Sequence, residues 1–242
     1  MPAADMAETG GVEDVHNPGD FNSHPSTMEF LYQDSALLVC IKPSGLLAVP
    51  GRGPEKQDCL SARVQAIWPD ALVVHRLDFD TSGIMVLARG IAAQRALNRA
   101  FAAREVHKRY VAVVDGALEA APVTEDGWGL VDLPLNLDWP NRPRHIVDHL
   151  AGKPSLTRWR PYPSFELGGA PATRVDLEPV TGRSHQLRVH LQAISHPIIG
   201  DTLYASPAAQ ARAGRLLLHA CELCLAHPAS GEPLTFRSAA PF

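Results

Sequence analysis

Apolar positions along this chain fall into short uninterrupted runs separated by turn residues. Residues 36–41 form one such run, closed by Lys42-Pro43-Ser44-Gly45, which predicts a buried strand and a turn. Residues 84–88 form another, just after Thr81-Ser82-Gly83. A shorter apolar piece at 71–74 leads into His75-Arg76-Leu77-Asp78. Residues 110–114 read as a strand ending at Asp115-Gly116, residues 174–178 alternate with period two, and residues 215–226 read as a late strand.

Helical spacing is sparser. Residues 91–104 have helical composition, with Leu97 and Phe101 at i, i+4. Asp58 is placed to cap a helix running to about Trp68, and Thr181 to cap one in which Leu187, Leu191 and Ile194 recur at i, i+4, i+7. Arg183 then falls in the first turn of that helix, where a cation opposes the helix dipole and wants an anionic partner. Six prolines between 134 and 163 predict loop and short extended pieces. Strands and helices alternate irregularly and no internal repeat is present, so the expected class is α+β rather than a doubly wound parallel sheet. Residues 1–27 carry no apolar periodicity and predict a disordered leader ahead of a domain at 28–242.

Charge changes this picture at one point. The 242 residues carry a net charge of −4, which argues against binding nucleic acid through bulk positive charge. Yet residues 1–29 hold six acids and no Lys or Arg, so the remainder carries +2, with 18 Arg against four Lys. Arg presents a planar fork of donors that suits phosphates and base edges; biased codon usage would give the same excess. Residues 89–109 and 142–160 are the basic tracts, and the second interleaves His145, His149 and Trp159 in a Pro-rich loop. No secretory signal and no membrane-length apolar run occurs. Four cysteines do not make a disulfide framework, and the lone Cys221–Cys224 pair sits on an expected strand, facing opposite ways.

Three stretches carry candidate chemistry. In 75–83, Asp78 and Asp80 lie beside His75 and Arg76 after a buried strand; such a carboxylate serves as nucleophile or base, or as half of a structural Arg–Asp pair. A metal-dependent phosphodiesterase using both acids lacks a further carboxylate or His cluster. In 181–190, His185 and His190 are five apart, not the four that would align two ligands on a helix, and read as satisfied or surface histidines. In 107–110, Tyr110 opens an apolar strand behind three bases, an ingredient of a base-stacking site or simply a core tyrosine.

His75-Arg76-Leu77-Asp78 with Thr81-Ser82-Gly83 resembles the catalytic signature of the RluA family of RNA pseudouridine synthases. Lys42-Pro43-Ser44-Gly45, Lys108–Tyr110, Thr181-Gly182-Arg183-Ser184-His185-Gln186-Leu187-Arg188 and Leu218-His219-Ala220 match in the same order, so the resemblance runs from about Phe30 to Phe242. It implies the family's fold, a mixed and mostly antiparallel sheet flanked by helices, here with no S4-like module. It implies isomerisation of uridine without metal or organic cofactor, in a monomeric cytoplasmic enzyme that binds no membrane. Asp78 matches the essential carboxylate, Arg183 the arginine paired with it, and Tyr110 the tyrosine that stacks on the base. Leu218, or alternatively Leu217, matches the apolar residue on the base's other side, and Arg76 an arginine that fills the space of the extruded nucleotide. His75, Arg142 and Arg188 are expected at the substrate, and Lys42 is held as structural. Asp138-Trp139-Pro140-Asn141-Arg142-Pro143 resembles the dual-specificity subfamily, whose partners are a tRNA anticodon stem-loop and a 23S rRNA stem-loop.

Overall fold

In the computed structural model, residues 28–119 and 124–242 are described; the acidic leader expected at 1–27 lies outside the described residues. In chain order the elements are β1 (Phe30–Gln33), β2 (Leu37–Lys42), α1 (Leu60–Ile67), β3 (Ala71–Val73), β4 (Ser82–Arg89), α2 (Gly90–Ala103) and β5 (His107–Asp115). Then follow β6 (Gly129–Asp132), β7 (Leu135–Leu137), β8 (His145–Val147), β9 (Leu156–Pro161), β10 (Phe165–Leu167) and β11 (Ala170–Pro179). The chain closes with α3 (Gln186–Ala193), α4 (Pro207–Ala211), β12 (Leu218–Ala226) and β13 (Pro233–Arg237).

The spine of the sheet runs β1-β2-β4-β12-β5-β11-β9-β6, and β4–β12 is its one parallel pairing. The fold is α+β with a mostly antiparallel sheet, as the interspersed patterns imply. The uninterrupted apolar runs follow from burial on both faces. In β4, Ile84, Val86 and Ala88 pack with Ala93 and Leu97 of α2, while Met85 and Leu87 pack with Leu60 and Val64 of α1. A third core joins β5, β11 and Trp159 of β9 to Leu187 and Leu191 of α3.

Both expected caps are corrected. Cys59, not Asp58, caps α1: its Sγ accepts from the Ala62 N–H at 3.4 Å. Asp58 is committed to a bidentate pair with Arg63, at 2.7 Å through each oxygen. The third helix starts at Gln186, five residues after Thr181, and its cap is His185 in the left-handed region, φ 55°. Thr181 Oγ1 instead donates to Gln186 Oε1 at 2.7 Å, and that oxygen also accepts the Arg183 N–H at 3.1 Å. The turn is closed by the glutamine side chain, so Arg183 stays outside the helix. The Pro-rich stretch holds more strand than expected, because β7 and β8 pair with each other and β9 inserts between β11 and β6.

Gly83 explains how the first residues of β4 fit against β12. Its φ is 122°, and a Cβ there would sit 2.3 Å from the Ala220 carbonyl oxygen. Only glycine lets β4 close against β12 at this point.

Candidate active site

Sheet register brings three of the expected residues together. Ala220 of β12 pairs across from Tyr110 of β5, and Leu218 from Ala112, so Tyr110 and Leu218 are diagonal neighbours on one face. Gly83 pairs with Ala220, which sets the loop before β4, and Asp78 on it, beside them. Asp78, Tyr110 and Leu218 all line a cleft of about 940 Å³; Leu217 does not. His75, Arg76, Arg183 and Arg188 line it too, and Arg142 does not.

The Asp78 loop is clamped from behind. Lys42 is fully buried and spends its three ammonium protons on the carbonyls of Pro43, Leu46 and Phe79, at 2.8, 2.7 and 2.9 Å. Gly45 N–H donates to the Phe79 carbonyl at 3.0 Å and Ser44 Oγ to that of Asp80 at 2.7 Å. Burial pushes the Lys42 amine down to about 8, although Asp78 and Asp80 pull the other way. The Lys-Pro-Ser-Gly motif is thus a fastener for the residues flanking Asp78. Asp80 lines a second cleft behind the loop rather than the first, so the two carboxylates do not face a common cavity.

The arginine that meets Asp78 is Arg188, which corrects the expected pairing with Arg183. Arg188 Nη1 lies 3.8 Å from Asp78 Oδ2, whereas Arg183 is exposed and has no acidic partner among the described residues. Arg188 is itself held by Asp201, with Nε and Nη2 each donating at 2.7 Å. Asp201 is fully buried, and its Oδ1 also accepts the N–H groups of Leu203 and Tyr204 at 2.9 and 3.1 Å. Burial works against the Arg188 charge, but the bonds and charge of Asp201, with Asp78, more than offset it.

Sequence reasoning missed Asp201 and Tyr204. The available signal was a lone acid after the apolar Ile198-Ile199-Gly200, which a buried cation would demand. His185, read as a satisfied or surface histidine, is hydrogen-bonded and also borders Asp78. Its Nε2 is 4.0 Å from Asp78 Oδ1 and its Nδ1 is 2.7 Å from the Tyr204 hydroxyl, which accepts the His145 N–H at 2.8 Å. Burial pushes His185 down to about 4, so its ring is neutral near pH 7.

His75 borders the cleft, but its ring nitrogen is already engaged. Nε2 accepts the Val86 N–H at 3.0 Å, and the ring stacks on Phe101 at 4.9 Å. Burial, with the Lys108 charge, pushes it to about 3. His219 is buried between Ser82 and Ser238 and falls to about 4 for the same first reason. An ordinary histidine titrates near 6.5, so the unfolded chain binds up to three more protons than the folded one as pH falls from 6.5 toward 4. Stability is therefore complete above 6.5 and lost below it, at about 1.4 kcal/mol per proton per pH unit. The urea midpoint is expected to fall steeply between pH 6.5 and 4.5; a flat profile there would contradict the buried neutral rings.

Tyr110 makes no side-chain hydrogen bond among the described residues. Burial, and then the Asp78 charge, push its phenol well above the ordinary value, so it stays protonated. At the cleft, Arg109 and Arg158 are paired with Glu178 at 2.9 Å each. Arg76, Arg104, Lys108 and Arg183 line the same cleft without an acidic partner among the described residues. The cleft thus combines the Asp78 carboxylate, an aromatic and an aliphatic side chain, and four uncommitted cations.

Cys221 and Cys224 are half-buried thiols. Cys221 sits at a bulge of β12 and its thiol donates to the Arg109 carbonyl; both cysteines are free. No helix among the described residues is long and apolar enough to cross a membrane.

The RNA pseudouridylate synthase family model matches residues 36–193. The dual-specificity RNA pseudouridine synthase RluA of Yersinia pestis is 50% identical over 215 residues, covering 89% of this chain and 100% of that protein. Its counterpart in Escherichia coli strain K12 is 51% identical over 212 residues, covering 88% and 93%. Among solved structures, human RNA Pseudouridylate Synthase Domain Containing 1 superposes with a TM-score of 0.73 at 27% identity, covering 91% of this chain and 87% of that one.

Proposed function

Because the chain belongs to the RNA pseudouridylate synthase family, we propose that its cleft receives a uridine extruded from two structured RNAs, a tRNA anticodon stem-loop and a 23S rRNA stem-loop. The isomerisation breaks the N1–C1′ bond, turns the base and joins C5 to C1′; C5 loses a proton and N1 gains one. The observation that carries this reading is that Asp78, Tyr110 and Leu218 line one cleft together with four uncommitted cations. Charge of that sign suits phosphates, and the aromatic and aliphatic side chains suit a flat base.

On this reading Asp78 supplies the carboxylate beside the ribose, and Arg188 orients it. Extrusion of the uridine costs roughly a few kcal/mol. Stacking on Tyr110 returns about 1–3 kcal/mol, with Leu218 against the opposite face. Arg76, exposed at the cleft, enters the space the nucleotide leaves. The neutral Tyr110 hydroxyl is positioned to take part in proton transfer at C5. We read the enzyme as a monomer with its catalytic domain at 28–242.

Arg183 takes a binding role at the cleft mouth. Arg183→Ala is expected to raise KM a few-fold at low salt and to reduce the slope of log affinity against log salt by about 0.7–0.9. An unchanged slope would remove Arg183 from the RNA contact.

Substrate choice is tested by incubating unmodified tRNA transcripts and 23S rRNA fragments with the protein and mapping pseudouridine. Product in both stem-loops supports the dual reading. Product confined to rRNA overturns it in favour of an rRNA-specific synthase.

A further inference from the structure

We propose that Trp139 and Arg142, in the turn of the β7–β8 hairpin, hold a second unpaired nucleotide of the RNA, outside the cleft that takes the target uridine. This rests on the RNA reading above and deepens it.

Trp139 is 65% exposed, whereas Trp128 and Trp159 are 5% and 6% exposed. A broad aromatic face left in water invites an apolar partner. The Arg142 guanidinium lies 4.8 Å from the ring centroid, and its Nε donates to the Trp139 carbonyl at 3.1 Å. No acid lies within ion-pair distance of Arg142 among the described residues. The nearby acid, Asp138, is occupied: both of its oxygens accept from Asn141 Nδ2, at 3.2 and 3.0 Å.

The turn is built rather than loose. Asp138 N–H donates to the Arg144 carbonyl at 2.9 Å, Asn141 N–H to that of Asp138 at 3.1 Å, and Arg144 N–H to that of Asn141 at 3.1 Å. The ring and the guanidinium are therefore presented together before anything binds, which lowers the ordering cost.

Position ties the pair to the site without placing it inside. The hairpin's His145 ring lies 5.1 Å from the His185 ring, and His185 reaches toward Asp78. Arg144 lies over Tyr204, at 5.6 Å. Trp139 does not line the cleft. A uridine extruded from a loop has unpaired neighbours, and one of these can stack on Trp139 while its phosphate meets Arg142. A flat ring beside an uncommitted cation suits a nucleotide better than an apolar peptide, and stacking of this kind is tolerant of base identity.

The test measures binding in the Asp78→Asn background, where RNA is not consumed, with a tRNA anticodon stem-loop transcript. Trp139→Ala is expected to raise Kd about 5- to 150-fold, and Trp139→Phe to restore most of the affinity. Replacing the loop nucleotides one at a time by abasic sites then locates the contact. One position should weaken the parent protein strongly and Trp139→Ala hardly at all. Equal Kd for parent and Trp139→Ala, or identical abasic penalties for both at every position, would overturn the proposal. Loss of the Trp139 effect with the original enzyme still forming pseudouridine defeats this inference alone. A folded original enzyme that modifies neither RNA defeats the functional reading, and this inference with it.

Discussion

Asp78→Asn is expected to give a protein that folds, binds RNA and forms no detectable pseudouridine, a loss of at least about 10,000-fold in turnover. The change keeps shape and removes one charge. Among the described residues Asp78 makes no short hydrogen bond through its side chain: the Arg188 guanidinium lies 3.8 Å away and the neutral His185 ring 4.0 Å away. The backbone of its loop is fixed independently by Lys42, Ser44 and Gly45. Arg188 also keeps its bidentate Asp201 partner when Asp78 becomes neutral. Melting temperature should therefore stay near that of the parent while single-turnover product, mapped in the RNA, disappears. A large drop in melting temperature would place Asp78 in the scaffold instead.

Arg188→Ala and Asp201→Asn should do the opposite to stability. Removing one member of a buried ion pair leaves the other charged and unpartnered, at a cost of about 3–5 kcal/mol. For a chain of this size that corresponds to roughly 6–20 °C in melting temperature. Arg188→Ala strands Asp201, fully buried with only two N–H donors, and strips Asp78 of its cation. Asp201→Asn frees Arg188 to move toward Asp78 and so disturbs the carboxylate that the reaction needs. Arg183→Ala is the control: exposed and outside the helix, it should leave the melting temperature unchanged. Scanning calorimetry of the three variants separates the two arginines. Equal, small effects for all three would contradict the assignment of Arg188.

The contrast between these arginines shows what local pattern could and could not reveal. Both lie in one eight-residue motif, so resemblance alone placed the pairing role on the first. The left-handed turn at His185 and the late start of α3 decide otherwise. The Leu187, Leu191, Ile194 stripe suggested a helix with one buried face. Yet Gln186 through Leu191 are all buried, which forces Arg188 and His190 to find partners in distant segments. His190 finds Thr157 and the Leu133 carbonyl; Arg188 finds Asp201. Such partners come from folding, not from spacing. The strands around Asp78 were legible because burial on both faces of β4 writes an unbroken apolar run. The caps were not, since Asp58 was drawn off by Arg63 and a cysteine took its place.

The most direct test of the whole account is tritium release from RNA labelled at C5 of uridine. Forming the new C5–C1′ bond expels that hydrogen, so release counts turnovers without reference to any single residue. With catalytic amounts of enzyme and folded tRNA anticodon and 23S rRNA stem-loops, release should approach one tritium per RNA, from a loop uridine, and be absent with Asp78→Asn. No release from either RNA by a protein shown to be folded, or equal release by Asp78→Asn, would contradict it.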